Sequence, residues 1–183
     1  MYIFLYICLC IPRRFARTIN FIKENDNFTI FYHLDDDGVI SAALMTNVLN
    51  KMGKRIHNYR PTNYEDFDKK IDFSKFSKNI IVCDISLKGK INYFSGKNLC
   101  VLDHHELLDG FDGPYYNPKL WGDNTYTPCS LIVYRIFLNY LKDKDWMMMI
   151  GLISDAGGKE NEKIVLEESN KYNVPPGSPP FYY

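Results

Sequence analysis

The run FTIFYHLDDDGVISAAL, residues 28–44, sets a histidine, three consecutive aspartates and a glycine between two apolar segments. Neighbouring carboxylates repel one another, and burying even one is costly without a compensating partner. The same residue types recur after other apolar runs. Asp84 follows NIIVC, Asp103, His104 and His105 follow NLCVL, and Asp155 follows MMMIGLIS. Aspartate oxygens and neutral imidazole nitrogens suit a divalent ion such as Mn²⁺, with Mg²⁺ or Co²⁺ as alternatives. One ion can take His33, Asp35 and Asp84. A second can take Asp37, Asp84, His104 and Asp155, with Asp84 shared. Four aspartates against two dications leave no net ligand charge. Two ions about 3.5–4 Å apart acidify a water and clamp the attacking and leaving oxygens of a displacement at phosphorus. The chemistry implied is phosphoester hydrolysis.

Taken singly, these residues have plainer readings, which stay open. Asp35–Asp37 before Gly38 fits a turn and a helix N-cap. His33-x-Asp35-x-Asp37-Gly38 has the middle of a calcium-loop pattern, but the first position is histidine and the twelfth is Leu44, which argues against calcium of that kind. Asp84 can cap the segment after a strand, His104–His105 can be a solvated turn, and Asp155 can end a helix beside Gly157 and Gly158. One metal centre accounts for all of them together.

The elements that would carry these residues alternate. Periodicity predicts helices over 13–25, 38–52 (with Val39, Ala42, Ala43, Leu49 and Met52 sharing a face), 64–71, 128–141 and 146–155, and a short one over 90–94. Strands are expected at 28–33, weakly at 54–59, at 79–85 and at 98–103. FDGPYYNP reads as a loop. Continuous apolar strands alternating with helices indicate an α/β fold with a parallel, Rossmann-like sheet flanked by helices on both faces. In such sheets functional groups gather at the carboxyl ends of the strands, which is where three separate strands deliver acids and imidazoles. In the last helix Met148, Leu152 and Asp155 fall on one face.

A chain of 183 residues, 46% hydrophobic and 24% charged, supports one domain with a core. Lysine plus arginine equals aspartate plus glutamate, at 22 each, so no global basic field advertises nucleic acid. KMGKRIHNYRPTNY, residues 51–64, offers Lys51, Lys54, Arg55, His57, Tyr59 and Arg60 either as a basic, aromatic channel for a single strand or as a solvated loop. The five cysteines, Cys8, Cys10, Cys83, Cys100 and Cys129, show no paired metal spacing, which points to a reducing, cytoplasmic compartment. The apolar start, MYIFLYICLCI, is too short to span a bilayer, which takes about 20 residues. Its positive charge follows the apolar run rather than preceding it. Residues 1–12 are expected to be a buried or irregular extension, or the result of a start assigned too early. A membrane-associating segment and a cleaved signal are the alternatives, and no stable membrane insertion is expected. Residues 159–183, ending NVPPGSPPFYY, are expected to be a loose tail.

The residues also resemble a known family. HLDDDGVISA fits the H-x-D-x-D-G-x-x-S-A motif of the DHH phosphoesterase superfamily. VCDIS resembles its second motif, LDHHE its third and name-giving one, and GLISDAG its fourth, in the expected order. YYNP, followed by Ser130 in TPCSLIVYRI, resembles the segment after the third motif. The resemblance implies that residues 13–158 form a catalytic domain with two Mn²⁺ ions held by His33, Asp35, Asp37, Asp84, His104 and Asp155. His105 would face the scissile phosphate, and Asp103 would support the site, for instance by orienting a histidine. Asp36 lies at a variable position and is assigned no metal, while Ser41 matches the motif serine.

One residue separates the first histidine from the first aspartate, where soluble pyrophosphatases of this type have three. That favours the branch resembling RecJ exonucleases, nano-RNases with pAp phosphatase activity and cyclic-dinucleotide phosphodiesterases. The implied substrates are nucleotides or short single-stranded nucleic acid, with exonuclease or oligonucleotide trimming preferred. A small-nucleotide phosphatase or phosphodiesterase, an exopolyphosphatase or pyrophosphatase, and a non-catalytic scaffold on the same fold are the rivals. Members of the scaffold class have typically lost metal ligands, which this chain retains. The family's second, DHH-associated domain is expected to be absent, and the oligomeric state is not legible.

Overall fold

Phe28, Ile30 and Phe31 are fully buried, which requires Phe28–His33 (β1) to be an interior strand covered on both sides. It pairs with Ile56–Thr62 (β2) on one side and Asn79–Cys83 (β3) on the other. Asn98–Leu102 (β4) and Tyr115–Tyr116 (β5) follow, giving a parallel sheet of order β2-β1-β3-β4-β5. The structure, a computed structural model, describes residues 12–68 and 71–173. The apolar extension at 1–11 with Cys8 and Cys10, and residues 174–183 of the expected tail, lie outside the described residues.

Side chains alternate across the strands. Phe28, Ile30, Ile81, Cys83, Cys100 and Leu102 point to one core, and Phe31, Ile80, Val82, Leu99 and Val101 to the other. The first core is closed by α-helices: Arg13–Glu24 (α1), Asp36–Lys51 (α2), Cys129–Ile136 (α3), Leu138–Leu141 (α4) and Asp145–Ser154 (α5). The second is covered by 3₁₀ turns at Tyr64–Asp68, Phe73–Lys75 and Ile91–Phe94. Here aromatic packing replaces helix length. The Phe76 and Phe94 rings meet Phe31 edge-on at 4.9 and 5.3 Å.

Several elements depart from the sequence expectations. The helix predicted over 38–52 starts at Asp36, because Asp35 caps it. Its core face is Ala42, Met45, Val48 and Leu49, while Val39 turns outward, 43% exposed. The helix predicted over 128–141 breaks at buried Phe137. Tyr115–Tyr116, read as loop, pairs with β4. Part of the expected loose tail is instead the helix Glu162–Lys171 (α6). Its composition is polar, but Ile164 and Val165 pack on the core. Lys171 pairs with the buried Asp145 at the start of α5, and the Tyr172 hydroxyl donates to the same carboxylate at 2.7 Å.

Of the basic segment 51–64, Tyr64 reaches the carboxyl edge of the sheet, but Lys51, Lys54 and Arg55 point elsewhere. Lys54 donates to the carbonyls of Lys23 and Asn25, and Arg55 pairs with Asp26 at 3.0 Å, all at the amino end of β2 and β1. Lys51 is spent on Asp143 and the Tyr140 carbonyl.

The chain leaves β1 for β2 on one side and then crosses to β3 on the other. The sheet order therefore reverses between β1 and β3, and the crevice beyond their carboxyl ends is the favoured place for a ligand in such a sheet. Gly38 makes the turn into that crevice possible, since a Cβ there would lie 2.3 Å from the His33 carbonyl oxygen. Gly38→Ala is expected to cost about 1–3 kcal/mol by overpacking. Urea denaturation checks it, and an unchanged midpoint would contradict this account of the turn.

Candidate metal centre

Five elements converge on the crevice. His33 ends β1, and Asp35 and Asp37 stand at the start of α2. Asp84 follows β3, Asp103 to His105 follow β4, and Asp155 closes α5. Asp84 takes a positive φ of 62°, a conformation that aspartate tolerates better than most residues but that still costs energy. Its N–H donates to the Leu102 carbonyl at 2.9 Å, which ties the β3 end to β4 and turns the carboxylate inward.

The donor atoms fall into overlapping groups, each with its atoms within 4.8 Å of one another: His33, Asp35 and Asp84; Asp37, His104 and Asp155; and Asp84, His104 and His105. Nδ1 of His33 lies 2.5 Å from Asp35 Oδ2 and 3.9 Å from Asp84 Oδ2. Nε2 of His104 lies 3.1 Å from Asp84 Oδ1 and 3.6 Å from Asp155 Oδ2. Asp84 is thus the member that reaches both sides. Its Oδ1 is buried without a hydrogen bond, since the approach of His104 lacks the alignment of one. A buried carboxylate oxygen left over in a cage of acids and imidazoles is what a divalent cation would satisfy, and the donor set fits Mn²⁺ or Mg²⁺.

The electrostatics agree. Burial, then repulsion from Asp37 and Asp35, pushes Asp84 up to about 11. Burial pushes Asp37 up to about 7, although the N–H groups of Ser130 and Cys129 pull back. Burial also raises Asp155. It pushes His104 down to about 4, so this imidazole is neutral with a lone pair to offer. Asp35 differs. Burial raises it, but the Gly38 N–H and His33 outweigh burial and hold it below the usual carboxylate value. Its Oδ1 accepts from Gly38 at 2.9 Å, so Asp35 caps α2 while it also belongs to a group of possible metal donors.

Asp103 is fully buried, and its Oδ1 lies 2.7 Å from His105 Nδ1. Burial lowers the His105 pKa, but Asp103 outweighs it and the net shift is upward. His105 also lies within reach of Asp84 and His104, a position the sequence does not distinguish from a substrate-facing one. Ser41 is buried with no partner for its hydroxyl, and Asp36 enters none of the three donor groups.

Other residues at the site are not singled out one by one by the sequence, though Asn117 lies in the YYNP segment. The Tyr126 hydroxyl donates to Asp155 Oδ2 at 2.9 Å, and its ring stands edge-on to His104 at 5.1 Å. Tyr64 lies 5.3 Å from the His33 ring and 6.3 Å from His105, with Lys90 over its face at 5.4 Å. Lys119 donates to the His105 carbonyl at 3.0 Å, as does buried Asn117 of the YYNP segment at 3.2 Å. These contacts arise from loops that only the fold brings together.

Comparison with known proteins gives consistent results. The family described as DHH family, N-terminal domain, matches residues 27–154. No curated protein sequence matches the chain. Among solved structures, exonuclease RecJ bound to manganese is similar with a TM-score of 0.63 at 15% identity, covering 84% of this chain and 46% of that one. RecJ from Thermus thermophilus in complex with Mn²⁺ gives 0.56 at 17%, covering 78% and 23%. CDC45 from Entamoeba histolytica gives 0.58 at 10%, covering 87% and 37%. The chain therefore spans less than half the length of these structures, and the likeness is one of fold. Among the described residues no helix is long and apolar enough to cross a membrane.

Because their pKa values are raised, Asp37 and Asp84 hold protons in the metal-free fold that the unfolded chain releases near pH 4. Metal-free stability is therefore expected to fall as pH rises through about 7, and Mn²⁺ binding to expel protons and tighten with pH. Asp84→Asn, which suits the positive φ, should raise the metal-free melting temperature at pH 8 and abolish the upward shift given by Mn²⁺. Thermal melts at pH 6 and pH 8 test this; a variant with the wild-type Mn²⁺ shift would contradict it.

Proposed function

The chain belongs to the DHH family, and from that premise we propose that it is a metal-dependent phosphoesterase acting on nucleotides or short single-stranded nucleic acid, with trimming of short strands as the preferred activity. The observation that carries this reading is the convergence of His33, Asp35, Asp37, Asp84, His104 and Asp155 around a buried carboxylate oxygen that has no hydrogen bond. These six are the proposed ligands of two divalent ions, Mn²⁺ first, with Asp84 shared. The ions would supply Lewis acidity toward the phosphoryl oxygens and an acidified water.

The chain's own groups do the rest. Asp103 fixes the His105 ring through Nδ1, which leaves Nε2 to donate to a phosphoryl oxygen. The raised pKa of His105 favours its protonated, donating form. Lys119, anchored on the His105 carbonyl, puts a positive charge beside the acidic centre and favours an anionic substrate. Tyr64 offers an aromatic surface next to both His33 and His105, and stacking on such a surface tolerates any base. The RecJ structures were solved with manganese, which supports the choice of ion. RecJ's description as an exonuclease supports the choice of substrate.

The test is hydrolysis of a 5′-labelled short single strand, pAp, a cyclic dinucleotide and polyphosphate, with Mn²⁺ and with chelator. Expected are chelator-sensitive cleavage of the strand above the others, its loss in Asp84→Asn, and a fall of about 10²-fold or more in His105→Ala. Preference for pAp or the cyclic dinucleotide would move the substrate to small nucleotides, and preference for polyphosphate to inorganic chains. Folded, Mn²⁺-loaded protein inert on all four would contradict the enzymatic reading and leave a binding role on the same fold.

A further inference from the structure

Five consecutive residues, Tyr126 to Ser130, touch every member of the Asp37, His104 and Asp155 group. The N–H groups of Cys129 and Ser130, at the start of α3, donate to the two oxygens of Asp37 at 2.6 and 2.9 Å. The Tyr126 hydroxyl donates to Asp155, and the Tyr126 ring packs edge-on against His104. The three donors come from α2, β4 and α5 and share no backbone hydrogen bond that would set their spacing. The segment that spans them is itself anchored. Tyr126 N–H donates to Glu160 at 2.5 Å, and its carbonyl accepts from buried Asn161 at 2.8 Å. Pro128 packs so closely on Gly157 that a Cβ there would lie 2.6 Å from its Cγ. Gly151 gives α5 similar room, since a Cβ there would lie 2.5 Å from Ser130 Oγ and 2.9 Å from Asp37 Oδ1.

From these contacts we infer that Tyr126 is a positioning residue for one of the two metal positions, the one formed by Asp37, His104 and Asp155. Its hydroxyl fixes the rotation of the Asp155 carboxylate, and its ring fixes the plane of the His104 imidazole. It does not touch the group formed by His33, Asp35 and Asp84, so the two positions depend on it unequally. Partners that orient metal ligands typically contribute about 10- to 100-fold in affinity. The inference rests on the reading of this cluster as a dimetal site.

The test compares wild type with Tyr126→Phe, which keeps the ring, and Tyr126→Leu, which removes both contacts. Two-site Mn²⁺ titration by calorimetry is read beside the melting temperature of the metal-free protein and the dependence of kcat on Mn²⁺. Expected for Tyr126→Phe is weakening of one Mn²⁺ step by about 10-fold or more, with the other step and the metal-free melting temperature unchanged. Its kcat should recover at high Mn²⁺, and Tyr126→Leu should be weaker still at the same step. Equal weakening of both steps with a lowered melting temperature would mean a merely structural role and overturn the inference. So would a fall in kcat that excess Mn²⁺ does not restore, or a Tyr126→Phe protein that binds both ions as wild type does. Each of these leaves the dimetal reading standing, whereas a wild type that takes up no Mn²⁺ overturns the reading and the inference together.

Discussion

Repulsion among carboxylates is the constraint on which this structure turns. Asp35, Asp37, Asp84, Asp103 and Asp155 meet in one crevice, and Asp37, Asp84 and Asp103 are buried in it almost completely. Protein groups relieve part of the cost. The Gly38 N–H serves Asp35, two α3 N–H groups serve Asp37, His105 serves Asp103 and Tyr126 serves Asp155. Asp84 receives no such help at Oδ1 and sits at a positive φ besides. Strained backbone and an unpaired buried oxygen in one residue are tolerated where function depends on them. A cation shared through Asp84, as proposed, would relieve both the charge and the missing bond.

The sheet and its helices serve that arrangement. Reversal of strand order between β1 and β3 places the ends of these neighbours side by side, so His33 and Asp84 meet without a long loop. Gly38 lets α2 start hard against β1, and Gly151 lets α5 approach α3 and Asp37. α6 then holds the other end of α5 through Lys171, Tyr172 and the buried Asp145. The opposite face of the sheet brings Tyr64 to the rim of the crevice. There single 3₁₀ turns and clustered phenylalanines close the core.

The strands were legible in the sequence because burial on both faces demands continuous apolar runs, and NIIVC and NLCVL have them. The convergence of His33, Asp84 and His104 was legible for the same reason, since parallel strands bring their carboxyl ends to one edge. What the sequence hid was set by contacts distant in the chain. Polar α6 looks like a tail until Asp145 supplies its partner. The two residues of β5 are too few to show a period. Val39 fits an apolar face of α2 by spacing but turns outward, because the buried face is centred on Leu44, Met45, Val48 and Leu49. Tyr126 lies just before TPCSLIVYRI and Tyr64 ends the segment 51–64, but neither tyrosine is itself marked in the sequence, and only the fold brings their loops to the histidines. Lys54 and Arg55 suggest a binding channel until they are seen to pair with carbonyls and Asp26 at the far edge.

The proposed function requires the crevice to hold two divalent ions with Asp84 between them. Anomalous diffraction at the manganese edge, from crystals grown with Mn²⁺, tests it most directly. Two peaks that share the Asp84 carboxylate are expected, one beside His33 and Asp35 and the other beside Asp37, His104 and Asp155. An ordered crevice with no peak, or with one that does not touch Asp84, would contradict it.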